Sequence, residues 1–94
     1  MTREEVLALA TDDYQNRRGD APESDIPDSI SVYERSDGNF SISASFKNTS
    51  EDRAEKWLEK FVDKKDLKTV RAASAWQSGD YHNDWVDAEI VVSI

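Results

Sequence analysis

Two stretches of strict alternation stand out along the chain. Phe40, Ile42, Ala44 and Phe46 alternate with Ser41, Ser43, Ser45 and Lys47, and Val86, Ala88, Ile90, Val92 and Ile94 repeat the pattern later on. Successive strand side chains point to opposite faces, so each stretch predicts a strand with one apolar and one wet face. A shorter arm comes first: Ile30 and Val32 share one face, while Ser31, Tyr33 and Arg35 share the other. Asp37-Gly38 lies between the arms, and Asp-Gly between alternating runs predicts a hairpin. Residues 67–76 are ambiguous, because Val70, Ala72, Ser74 and Trp76 alternate while three alanines would also suit a helix. They are read as a strand, since a strand as regular as 86–94 needs a neighbour.

Two stretches carry helical periodicity instead. Over residues 2–18, Thr2 with Glu5 fits a capping box, and Val6, Leu7, Leu9, Ala10 and Tyr14 form a broad apolar stripe. Arg17, Arg18 and Gly19 mark its expected end. Over about residues 50–65, Thr49 or Ser50 is the expected N-cap, and Glu51 and Asp52 suit the first turn. Ala54, Trp57, Leu58, Phe61 and Val62 follow the i, i+3, i+4, i+7, i+8 spacing. The opposite side mixes Arg53, Lys56, Lys60 and Lys64 with Glu55, Glu59 and Asp63, the composition of a solvated face. Between the first helix and the first arm, residues 20–29 hold Pro22 and Pro27, which forbid a regular helix or central strand. Ile26 is the expected anchor of that loop.

The element order is therefore α-β-β-α-β-β. An α+β fold is expected, with one four-stranded antiparallel sheet, two helices packed on one face, and a wet face lined by serine. Residues 1–94 form one domain, since this length leaves no room for two cores. Each half reads as a helix followed by a hairpin, but no residue-level repeat accompanies that likeness.

Charge narrows the function. The net charge is −8, unevenly spread: residues 1–46 carry ten acids and four bases, residues 47–71 six acids and eight bases, and residues 72–94 four acids and no base. Direct nucleic-acid binding and attachment to an anionic membrane both need surplus Lys and Arg, so both are disfavoured. A basic protein partner is favoured. The absence of cysteine excludes disulfides, thiolate metal sites and cysteine nucleophiles, and fits a reducing cytoplasm. Five acids in the first twenty residues argue against a secretory signal. No apolar run approaches the roughly 20 residues that span a bilayer.

Catalysis finds little support. His82 is the single histidine, no serine sits in a glycine elbow, and the three glycines are isolated, so no phosphate loop exists. Asp80, His82 and Asp84 alternate on the loop 77–85, but without a second histidine or the spacing of an EF-hand. No metal and no cofactor are expected, and the chain is read as a non-enzyme.

Interaction is the remaining reading. Tyr81, His82 and Trp85 lie beside Asp80 and Asp84, and Asp20, Glu23, Asp25 and Asp28 make the first loop anionic. Tyr and Trp dominate interface hot spots, and flanking carboxylates would meet Lys or Arg on a partner. These nine residues are the expected partner-binding set. Trp76 and Trp85 have a second reading, as core residues closing the last hairpin. The sequence thus points to an acidic inhibitor, immunity or anti-defence type protein. It would occlude a basic nucleic-acid-binding partner, such as a nuclease or defence effector. The alternative is an assembly module, a homodimer included, that pairs through the sheet face or an edge formed by 86–94.

Overall fold

The computed structural model describes residues 1–10, 27–47, 49–78 and 85–94. Its elements are α1 (Arg3–Leu7), β1 (Ser29–Glu34), β2 (Phe40–Lys47), α2 (Glu51–Lys64), β3 (Lys68–Gln77) and β4 (Trp85–Ser93). The four strands form one antiparallel sheet in the order β1-β2-β4-β3. Each hairpin thus places its second strand in the middle of the sheet, and the two halves mirror one another in topology. The α+β architecture expected from the alternation is the one observed.

The interior forms where the alternating faces meet the helices. Ile30, Phe40, Ile42, Ala44, Phe46, Val86, Ala88, Ile90 and Val92 are buried together with Val6 of α1 and Ala54, Leu58 and Val62 of α2. Burying an aliphatic side chain of this size contributes about 1.5–3 kcal/mol. α2 lies over β3 and β4, and α1 over β1. Trp57 and Phe61 flank the buried stripe and are half-buried: Phe46 meets Trp57 edge-on at 5.7 Å, and Trp57 stacks on Phe61 at 5.1 Å.

Local chemistry sets the element ends. Thr2 and Glu5 make the full capping box. Ser50, rather than Thr49, caps α2, its hydroxyl accepting from the Arg53 amide at 3.2 Å. At the other end of α2, Asp66 takes φ 57°. The amides of Asp66 and Leu67 reach back to the carbonyls of Asp63 and Val62 at 3.1 and 3.2 Å. This is a Schellman closure, with Leu67 buried beneath it. The first hairpin turns through three residues: the Gly38 amide donates to the Arg35 carbonyl at 3.1 Å, and Gly38 takes φ 88°. A type I turn closed by a left-handed residue is a standard three-residue hairpin loop.

Several expectations need correction. The periodicity predicts a first helix over 2–18; α1 spans Arg3–Leu7, and residues 11–18 of that stretch lie outside the described residues. Beyond Leu7 the Leu9 and Ala10 amides bond three residues back, to Val6 and Leu7, so the chain tightens out of the α-helix. Of the described members of the expected stripe, Val6 alone is fully buried. The expected stop at Arg17, Arg18 and Gly19, the anchor Ile26 and Tyr14 lie outside the described residues. For β3 the alternation leaves the inward side open; Ala73 and Ala75 pack on the interior, while Val70, Ala72, Ser74 and Trp76 are exposed. Register shifts between Thr69 and Arg71 and between Arg71 and Ser74 displace the phase of this strand. Finally, β4 is not an edge. It pairs with both β2 and β3, and the edges are β1 and β3. Ile94 lies past the end of β4 and is exposed, so the apolar run stops at Val92.

Candidate partner-binding face

The helices occupy one side of the sheet. The other side is built from the residues that alternate with the core, and the registers place them in rows. One row runs Trp76, Asp87, Ser45, Ser29, the next Ser74, Glu89, Ser43, Ser31, and the third Arg71, Val91, Ser41, Tyr33. Four strands at about 4.8 Å spacing give each row a span of roughly 14 Å. Tyr33 is 69% exposed and Trp76 45%. Trp85, at the start of β4, has the same phase and is half-buried.

Charge is graded along this face. Asp87 and Glu89 sit on a central strand, next to Trp76 and Ser74 on one side and Ser45 and Ser43 on the other. The Ser45 hydroxyl donates to Asp87 Oδ1 at 2.7 Å, which holds the carboxylate in place. Arg71 and Lys68 lie toward the opposite end. There Arg35 donates from Nη1 to Ser41 Oγ at 3.3 Å. Ser41 and Val91 are buried, so this side of the sheet is not wet throughout. Lys47, opposite Trp85, is the one basic neighbour at the acidic end among the described residues of the strands.

Of the nine expected contact residues, the structure describes Asp28 and Trp85. Asp20, Glu23, Asp25, Asp80, Tyr81, His82 and Asp84 lie outside the described residues, as does the alternating Asp80, His82, Asp84 trio. The flanks of both loops are nevertheless placed. Asp28 precedes β1 and donates its amide to the Ser45 carbonyl at 2.7 Å, while the Ser78 amide donates to the Trp85 carbonyl at 3.0 Å across the β3–β4 connection. Both junctions fall at the end of the sheet where β2 finishes and β4 starts. Asp28 is half-buried, with Oδ1 out of contact with solvent.

The sequence places Tyr33 opposite Ile30 and Val32 but marks none of Tyr33, Asp87 and Glu89 as contact residues, and it leaves Trp76 with two readings. Asp87 and Glu89 lie on an interior strand. Their phase opposite Val86, Ala88 and Ile90 was legible. Their position beside Trp76 was not, because it depends on the displaced register of β3. Trp76 is no core residue, being on the open side of a bulged edge strand.

The described residues contain no cluster of three metal-ligating side chains. No described helix is long and apolar enough to cross a membrane. No family model, curated protein or solved structure matches this chain.

Proposed function

We propose that the chain is a non-enzymatic binding module that engages a basic protein through the acidic, aromatic end of its open sheet face. The observation that carries this reading is the row Trp76–Asp87–Ser45, in which an exposed indole lies beside a carboxylate held by a serine hydroxyl. Aromatic area gives contact energy, and a fixed carboxylate gives a counter-charge without further ordering cost. The anionic segments that hold Asp20, Glu23, Asp25, Asp80 and Asp84 join the sheet at this same end. Such a surface suits occlusion of a phosphate-binding groove on a nuclease or a defence effector, the inhibitor or anti-defence role that small size and acidity favour. Association would be steered by charge and weakened by salt.

The test is capture from native extract, followed by binding kinetics on what is recovered. A basic protein should be retained at low salt and lost as salt rises. Asp80→Lys with Asp84→Lys should slow its association, and Trp76→Ala should speed its dissociation. Recovery of a partner whose affinity ignores both salt and these substitutions overturns the proposal.

A further inference from the structure

The flank of α2 carries a feature of opposite character. Trp57, Lys60, Phe61, Lys64 and Lys65 line a cavity of about 240 Å³. Two of its walls are half-buried aromatic rings, stacked with 15° between their planes. The Lys65 ammonium sits over the Phe61 ring, 5.7 Å from its centroid. That contact draws one cation toward the aromatic wall, while Lys60 and Lys64 are one helical turn apart on the same side. Like charges at that spacing repel by a few tenths of a kcal/mol, and three exposed lysines lining one hollow make its potential favour an anion. The segment 47–71 has a net positive charge in a chain that is otherwise acidic, and this hollow draws three cations from that segment together.

We propose that this cavity binds a small aromatic dianion, an aromatic ring carrying a phosphoryl group. The shape and the charge both lead there. The hollow, about 240 Å³, is open on one side and has room for a single ring with its substituent directed outward to the lysines. Lysine ammoniums act as rotatable point charges that suit phosphoryl oxygens, whereas a planar carboxylate is better served by the arginine fork. The ring packs against the side of the Trp57–Phe61 stack that lines the hollow, and the phosphoryl group takes Lys60, Lys64 and Lys65. This inference concerns α2 and stands independently of the partner-binding face.

The experiment follows the Trp57 indole N–H resonance of the full chain during titration with phenyl phosphate, phenol and inorganic phosphate. Phenyl phosphate should shift it at a concentration at least about tenfold below either fragment, since both halves of the ligand are engaged together. Lys60→Gln, Lys64→Gln and Lys65→Gln together should abolish the shift while leaving the melting temperature nearly unchanged, because all three side chains are exposed. Adenosine monophosphate and a phosphotyrosine amide, run in parallel, distinguish a free nucleotide from a modified peptide as the source of the ring. Inorganic phosphate binding as tightly as phenyl phosphate, an unchanged response in the triple variant, or no shift with any of these probes overturns the proposal.

Discussion

Two residues with left-handed backbone show how one rule acts in opposite directions. Gly38 closes the first hairpin at φ 88°, and a Cβ added there would meet nothing within 4 Å. Its replacement by alanine therefore tests backbone strain alone. Gly38→Ala should cost about 1 kcal/mol in denaturant unfolding, and Gly38→Asn less. Asp66 closes α2 at φ 57°, where glycine is the residue of least strain. Asp66→Gly should raise stability by about 0.5–1 kcal/mol, the strain relieved exceeding the entropy lost by the freer unfolded chain. Equal effects of one sign at both sites would show that something other than backbone conformation governs them. The hairpin was legible because Asp-Gly is a local signal. The closure at Asp66 was not, because a non-glycine residue takes the left-handed place.

At the scale of elements, α2 and β3 form the informative pair. The spacing of Ala54, Leu58 and Val62 is clean, so α2 could be read from the sequence to within a residue at each end. β3 could be read as a strand but not in phase, since two register shifts break its alternation. Its outer edge is an exposed ladder of backbone groups, and one of them is occupied: Glu55 Oε1 accepts from the Ala75 amide at 3.2 Å. A carboxylate over an edge amide opposes pairing with a second chain, as do the bulges. Glu55→Ala should speed hydrogen exchange at the Ala75 amide and cost about 1–2 kcal/mol. It should also raise the concentration-dependent mass measured by sedimentation. Unchanged exchange at Ala75 would show that Glu55 does not protect the edge.

For the whole molecule, ionisation ties distant parts together. The Arg3 guanidinium Nε donates to both Glu34 oxygens, at 2.9 and 2.8 Å, linking α1 to β1 across an exposed surface. This hydrogen bond holds the Glu34 carboxyl below its ordinary range and pushes the Arg3 guanidinium up. The amide and hydroxyl of Thr2 lower Glu5, and the Asn39 amide lowers Asp37. A carboxyl depressed on folding contributes stability above its unfolded pKa, about 4, and loses it as pH falls through the folded value. The melting temperature should therefore hold from neutral pH down to about 5 and fall below about 4. Glu34→Gln should melt lower than the parent at pH 7, and the two curves should converge in acid. A gap that persists at low pH would assign the loss to packing instead of charge.

The sequence by itself determined the element order, the two amphipathic partners and the absence of familiar catalytic or phosphate-loop motifs, because periodicity and motif spacing are local properties. The tertiary structure decided which strands are central, which residues of β3 face outward, and that Trp76 lies beside Asp87 while Trp57, Phe61 and three lysines line a hollow. Those outcomes depend on register and on packing between distant segments. A shift of one residue exchanges the two faces of a strand, and no local pattern records where such a shift falls.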